Sequence, residues 1–331
     1  MSSFSFNFPD LNKKDHEILF ELDRDARQSN SKLADKIGID KNVVNYRINR
    51  LMEKNIIRGF YTVINSTKLG YQSYRFYFKW QYINPKKENE ILSYMVKHPL
   101  TWWVGTTDGA FDLTVLIWAK NTLELKDFWD GFVNKYQKYI QEKVISVYVG
   151  LHDFSYAFFM PEKVLERSTQ GILPAEKILL TGTEEKVLEI ISENARMPTV
   201  EIAKQAGLSA IQVKYAIKQL REKKVILGFR TRINLQKLGL THYKANFDLK
   251  DLENYAEMLE FAKTNPNSIY VDESISYSDF EIELVAQKHA EFLEVMSRFK
   301  EKFSDKIKDY NYFIFTKINK INYSPFQKIT K

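Results

Sequence analysis

Residues 33–60 read LADKIGIDKNVVNYRINRLMEKNIIRGF, and residues 202–229 read IAKQAGLSAIQVKYAIKQLREKKVILGF. In the first stretch Leu33, Ala34 and Ile37 share one helical face, Gly38-Ile39 interrupts it, and Asp40 is placed to cap a further helix. On that helix Val44, Ile48 and Leu51 recur at i, i+4 and i+7, which predicts one buried stripe. The second stretch repeats the pattern: Ile202, Ala203 and Ala206 precede Gly207-Leu208, Ser209 caps, and Val213, Ile217 and Leu220 form the stripe. A short helix, a glycine turn and a capped second helix make a helix-turn-helix pattern, present here twice. Upstream, Ile18, Leu19 and Leu22 predict the helix that precedes it. Downstream, IIRGFYTVIN and VILGFRTRIN are β-branched and aromatic and predict a strand leaving each helical unit, closed by Asn65 or Asn234 and a KLG turn.

The two stretches are copies. At a displacement of 169 positions and without a gap, residues 19–70 match residues 188–239 at 20 of 52 positions. The period exceeds the roughly 20–50 residues of a solenoid repeat, so each copy is a two-part module. Its second part reads β-α-β-β-α-β. In copy one the strands are expected at 74–82, 101–105, 111–119 and 144–151, and the helices at 86–97 and 123–139. In copy two the strands are expected at 243–249, 268–273, 280–286 and 310–318, and the helices at 252–263 and 290–303. The expected fold is α+β: winged helix-turn-helix domains at 1–65 and 178–234, each followed by a ferredoxin-like βαββαβ domain, at 66–160 and 235–331. The proline-bearing segment 161–177 is read as a linker.

The chain has 331 residues, a net charge of +7, 44% hydrophobic residues and no cysteine, which excludes disulfides, thiolate metal sites and cysteine nucleophiles. Residues 11–70 hold 12 Lys+Arg against 8 Asp+Glu, and residues 180–240 hold 11 against 6. The whole basic excess therefore sits in the two helix-turn-helix segments, as phosphate-facing surfaces require and general solubility does not. No apolar run spans a membrane and the N-terminus lacks a basic-then-apolar leader, so a cytoplasmic location without membrane contact is expected. His16, His98, His152, His242 and His289 are scattered without metal-ligand spacing, and no phosphate-binding glycine motif occurs. No catalysis, metal or cofactor is expected.

Opposite the core stripes, the third helices offer Lys41, Asn42, Asn45, Tyr46 and Asn49 in copy one, and Gln212, Lys214, Tyr215, Lys218 and Gln219 in copy two. Asn and Gln suit bidentate contact with adenine, and Lys reaches guanine or phosphate, so double-stranded DNA is the expected partner. Arg47 and Arg50 are read as phosphate contacts, and Ala216 stands where copy one has Arg47. For any one of these side chains the bland reading is a solvated helix face. Trp102 and Trp103, on a predicted strand, are read as packing rather than as a stacking platform for single strands.

The run LADKIGIDKNVVNYRINRLMEKNIIRGF, its hinge strand and a following ferredoxin-like domain containing DGAFDL resemble the Lrp/AsnC family of transcriptional regulators, twice over nearly the whole chain. The resemblance implies that the second domain, called RAM, pairs its sheet with that of another copy, here within one chain as a pseudo-dimer, with further assembly of chains left open. It also implies a small effector such as an amino acid, for which Asp108, Gly109 and Asp112 are the candidates, although a turn aspartate is more often only a turn former. Aligned without a gap, Gly109-Ala110-Phe111-Asp112 becomes Ser278-Asp279-Phe280-Glu281, so copy two is expected to have lost the turn glycine. The alternative is a siroheme decarboxylase of haem biosynthesis, because those enzymes resemble the same architecture and combine two unlike copies; His98 and His152 are the histidines copy one offers it.

Overall fold

A computed structural model of the chain describes residues 6–326. Copy one opens with helices α1 (Lys13–Arg24), α2 (Asn30–Ile37) and α3 (Lys41–Glu53). Asn12, Ser29 and Asp40 cap them by accepting backbone N–H groups, and Gly38 ends α2 at φ 70°, which glycine adopts without strain. Strand β1 (Ile57–Ile64) leads to β2 (Gln72–Trp80), α4 (Pro85–Lys97), β3 (Thr101–Gly109), β4 (Leu113–Ala119), α5 (Thr122–Tyr136) and β5 (Ile140–Phe154). The expected linker carries a 3-10 turn over Pro161–Glu166 and a short strand, β6 (Thr169–Ile172), which extends the sheet beside β5. It is bolted down: the guanidinium of Arg167 donates to the carbonyls of Ser155, Asn265 and Ser268.

Copy two follows with α6 (Gly182–Glu193), α7 (Thr199–Ala206), α8 (Ala210–Glu222), β7 (Ile226–Ile233), β8 (Thr241–Leu249), α9 (Tyr255–Thr264), β9 (Ser268–Ile275), β10 (Phe280–Ala286), α10 (His289–Lys302) and β11 (Ile307–Ile321). On α8 the buried stripe is Val213, Ala216 and Leu220. Ile217 was expected in it but is only half-buried at its edge, because i+3 lies nearer the stripe here than i+4.

The two helical heads share one apolar core and join through antiparallel pairing of β1 with β7. The contacts are reciprocal. Ala26 N–H donates to Phe229 O at 2.8 Å and Ala195 N–H to Phe60 O at 3.0 Å. Arg27 donates to the carbonyls of Ala195 and Met197, while Arg196 donates to those of Ala26 and Gln28. Each guanidinium also lies over a phenylalanine, Arg27 over Phe229 and Arg196 over Phe60.

In the ferredoxin-like halves the strands order as β5-β2-β4-β3 and β11-β8-β10-β9. Because β3 pairs with β11 and β5 with β9, these eight antiparallel strands close into a ring with helices outside. Strand alternation sets the layers. Phe76 and Phe78 of β2 pack outward with Phe128 and Phe132 of α5, while Arg75 and Tyr77 face the ring interior.

One expectation about the turn after β3 is corrected. β2 and β8 keep the displacement of 169, but β3/β9, β4/β10, α5/α10 and β5/β11 all begin 167 apart, since copy two is two residues shorter around α9. Gly109 therefore corresponds to Ser276 rather than Ser278, and both hold positive φ, 125° and 103°. Asp112 corresponds to Asp279: Asp112 Oδ2 accepts Trp80 N–H and Asp279 Oδ2 accepts Leu249 N–H, each at 2.8 Å. The turn conformation survives in copy two without its glycine.

Candidate nucleic-acid interface and barrel cavity

On α3, Lys41, Asn42, Asn45, Tyr46 and Asn49 are exposed, as are Gln212, Lys214, Tyr215 and Lys218 on α8; Gln219 is half-buried. Tyr46 and Tyr215, at matching positions, are 64% and 62% exposed. Several of these groups are engaged locally. Asn45 Oδ1 accepts from Asn30 at 3.2 Å, Gln212 Oε1 accepts the Ser209 N–H in a capping box, and Gln219 donates to Glu222 at 2.8 Å.

Arg47 and Arg50 have a partner that the sequence did not reveal. Both reach back to Asp15 in the first turn of α1, Arg47 to Oδ1 at 2.9 Å and Arg50 to Oδ2 at 2.7 Å, and Asp15 is fully buried. The N-cap signature Asn12-x-x-Asp15 was visible in the sequence, but nothing in it linked that carboxylate to residues 32 and 35 positions away. In copy two Glu184 takes the place of Asp15, pairs with Lys223 at 2.6 Å, and leaves Ala216 and Gln219 where the arginines stand. Head one thus carries arginines held at its third helix, whereas head two presents exposed lysines, Lys214 and Lys218.

At the 108–112 turn, Asp108 and Gly109 are exposed. Asp112 is engaged through both oxygens, Oδ1 with Lys79 at 3.0 Å and Oδ2 with the Trp80 N–H.

The ring holds charges that the sequence reading missed. Arg75, Lys244, Asp272 and Glu281 lie buried together: Arg75 pairs with Asp272 at 2.5 Å and with Glu281, and Lys244 pairs with Asp272, with Glu281 at 2.7 Å and with Glu283 at 3.2 Å. Burial alone would raise the Asp272 carboxyl, but Arg75 and Lys244 hold it well below the usual range. A second cluster ties the ring to the heads. Arg230, fully buried on β7, grips both oxygens of Asp23 at 2.9 and 2.7 Å and also meets Asp153 of β5. Burial, opposed by Arg230 and aided by Asp23, pushes the Asp153 carboxyl up to about 6.

Between these clusters and β1 lies a cavity of about 160 Å³, walled by Trp103, Trp118, Tyr148, Phe315, Thr114 and Glu283 among others. A hollow of about 260 Å³ adjoins it across Trp103, Tyr323 and His242. His98 and His152 do not line either space. His98 is held down to about 4 by burial and by Lys320, and His152 pairs with Glu273 at 2.7 Å. Among the described residues no group of three or more His, Cys, Asp or Glu is arranged to hold a metal ion, and no helix is long and apolar enough to cross a membrane.

A family model described as winged helix-turn-helix DNA-binding matches residues 11–58 and 180–226. An uncharacterised HTH-type transcriptional regulator of Pyrococcus horikoshii is 30% identical over 119 residues, which is 36% of this chain and 74% of the relative. The HTH-type transcriptional regulator FL11 of Pyrococcus furiosus is 32% identical over 121 residues, 37% of this chain and 77% of its own. In fold, the siroheme decarboxylase NirDL superposes on 96% of this chain and 95% of its own with a TM-score of 0.66 at 15% identity, a likeness of architecture alone. Both helix-turn-helix units, the ferredoxin-like halves and the relatives agree: the chain belongs to the Lrp/AsnC family of HTH-type transcriptional regulators and carries the two-domain unit of that family twice.

Proposed function

We propose that the chain is a sequence-specific regulator that binds double-stranded DNA with both third helices. The observation that carries this reading is the pairing of two exposed polar helix faces, on α3 and α8, on heads clasped by reciprocal Arg27 and Arg196 contacts. A clasped pair presents two helices at fixed separation, which suits half-sites a whole number of about 10–10.5 bp turns apart. Asn45 and Gln212 are the proposed base readers and Lys214 and Lys218 phosphate contacts. Arg47 and Arg50 reach phosphate only by loosening from Asp15, so head one exchanges an internal ion pair for an external one. Unlike heads favour an imperfect palindrome.

Footprinting and salt titration test this. Affinity should fall with salt at a log-log slope near −0.9 per phosphate contacted. Lys218→Ala should flatten the slope by about one unit, whereas Asn45→Ala should cost about 1–3 kcal/mol at one base pair. Absence of salt-sensitive duplex binding at about 50 mM salt, where such contacts are strongest, defeats the reading.

For a small-molecule effector, the 108–112 turn offers Asp108 and Gly109, with Asp112 engaged internally. The decarboxylase alternative has the NirDL architecture in its favour. The placement of the copy-one histidines speaks against it: neither His98 nor His152 lines the cavity or the hollow that adjoins it. Visible absorbance of the purified protein after incubation with an iron tetrapyrrole separates the two.

A further inference from the structure

The ring interior and its junction with the heads bury five carboxylates, Asp23, Asp153, Asp272, Glu281 and Glu283, against four fixed cations, Arg75, Arg167, Arg230 and Lys244. A buried charge without a counter-charge is costly, so one carboxylate must share a proton, take a charged His242 as its partner, or be met by a cation from outside. His242 and Lys244 both reach Glu283, at 2.7 and 3.2 Å. At the other end of the cavity Asp23 and Asp153 face Arg230 and Arg167, so the excess lies with Asp272, Glu281 and Glu283 against Arg75 and Lys244.

The rest of the cavity wall is rich in aromatic rings set among aliphatic and hydroxyl side chains. Trp103 stands edge-on to Phe315 at 5.1 Å, Trp118 stacks on Trp102, and Tyr61 stacks on Tyr323 at 3.9 Å. Such walls suit the flank of a flat apolar group or the face-on approach of a cation. At about 160 Å³ the space resembles cavities of about 150 Å³ that accept one benzene ring. One wall residue also carries an unpaired group: the hydroxyl of Thr114 is buried behind the cavity surface and has no hydrogen-bond partner among the described residues. Buried hydroxyls are normally satisfied, and an unsatisfied one on a cavity wall marks where a ligand or water would complete the set.

We propose that this cavity binds a small organic monocation, one protonated amine on a single aromatic or similarly flat apolar body, with the ammonium directed to Glu283 and its neighbours and the body between Trp103 and Tyr148. An amino acid fits the charge count less well, because its carboxylate restores the negative excess that its ammonium removes. The site does not depend on whether the heads bind DNA, and its test is independent of that reading.

The probe is phenethylamine, compared with phenylalanine and phenylacetate, using the full chain. Three of the five tryptophans, Trp102, Trp103 and Trp118, line the cavity, so binding should change their emission. Phenethylamine should also raise the melting temperature at about 1 mM, a concentration matched to weak small-ligand affinity. Phenylacetate and phenylalanine should bind at least about tenfold more weakly, since they carry a carboxylate into the site. Thr114→Val preserves the shape of the wall and removes an unsatisfied hydroxyl. It should leave the empty protein as stable as before and weaken phenethylamine by about fivefold, the loss of one hydrogen bond. Glu283→Gln should weaken it further; if that variant does not fold, Thr114→Val alone decides. No emission or melting change with phenethylamine at about 10 mM, equal binding of phenylacetate, or wild-type affinity in Thr114→Val overturns the proposal.

Discussion

The interface between the heads and the interface between the ferredoxin-like halves join the same two copies by opposite means. Between the heads the backbone clasp is mirrored: Arg27 answers Arg196, Phe60 answers Phe229, and the Ala26 and Ala195 amides exchange places. Among the acids of the ring, and where Arg230 joins it to the heads, the mirror fails. Asp272, Glu281 and Glu283 belong to copy two, and the positions that match them by strand register are Gly105, Thr114 and Leu116. Arg230 is matched by Tyr61, and Asp23 by Ser192. In a two-fold homodimer each buried acid would appear twice and would need two partners close to the axis. A single chain can keep a cation at the matching positions of both copies, Arg75 and Lys244, and place all three acids in one, so covalent linkage permits an interior that no homodimer of either copy would build. Symmetric backbone contacts were retained where they hold the reading heads in register, and the polar interior diverged.

The largest test of that contrast removes one asymmetric cation. Arg230→Met leaves Asp23 and Asp153 buried without their shared partner and should cost about 3–5 kcal/mol in denaturant unfolding. The mirror substitution Tyr61→Phe removes a hydroxyl from a stacked, buried ring and should stay within about 1 kcal/mol. Equal costs for the two would mean that the Arg230 cluster contributes no more than ordinary packing.

A pH series examines the same cluster. Asp153 titrates near 6 in the folded chain, above the usual aspartate value, chiefly from burial, with Arg230 opposing and Asp23 assisting. A raised carboxyl favours the protonated folded state, so its share of stability is present below about pH 4 and is lost as pH climbs through about 6, roughly 3 kcal/mol in all. The carboxyls of Glu21 and Glu184, held low by Lys36 and Lys223 against their own burial, change stability in the opposite direction and at lower pH. Asp153→Asn should therefore gain on the wild type as pH rises from 4 to 6, measured as the difference between their urea midpoints. Parallel curves would contradict the raised value.

The symmetric interface predicts matched, smaller effects. Arg27→Ala and Arg196→Ala each strip the partners from two backbone carbonyls and should cost about 1–3 kcal/mol apiece. A gap of more than about 1 kcal/mol between them would show that the heads are less alike in energy than in geometry.

What was readable in the sequence follows the same division. The heads were legible because Val44, Ile48 and Leu51 and their counterparts repeat at helical spacing and lie in a stretch that keeps 20 of 52 residues. The strand and helix order of the second domains was also legible from alternation and turns, with ends shifted by a few residues; β5 and β11 run several residues longer than expected, sustained at their starts by β2 and β8 of their own copy and at their ends by β9 and β3 of the other. Ring closure was not spelled out residue by residue, since no local pattern names the partner of an edge strand. The Asp15 pairing with Arg47 and Arg50 and the buried Arg75 network were hidden for a related reason. A charged residue reads as surface unless its partner, here up to 206 positions away, is known.

The smallest effect is expected at the turn where a gapless alignment misplaced the missing glycine. Gly109 and Ser276 hold the same left-handed backbone, but their surroundings differ. A Cβ on Gly109 would lie 3.1 Å from Phe313 Cβ and 3.2 Å from Phe313 Cα, so Gly109→Ser adds crowding to backbone strain and should cost about 1–3 kcal/mol. At Ser276 the strain is already present, and the side chain offsets it by donating to Ile145 O at 2.8 Å. Ser276→Gly relieves about 1 kcal/mol of conformational strain and gives up an exposed hydrogen bond of about 0.5–1 kcal/mol. The two nearly cancel, and thermal unfolding should find Ser276→Gly within about 0.5 kcal/mol of the wild type. A gain well above 1 kcal/mol would mean that the hydrogen bond contributes nothing, while a loss of that size would mean that it, and not tolerance of positive φ, keeps the copy-two turn in the shape it shares with copy one.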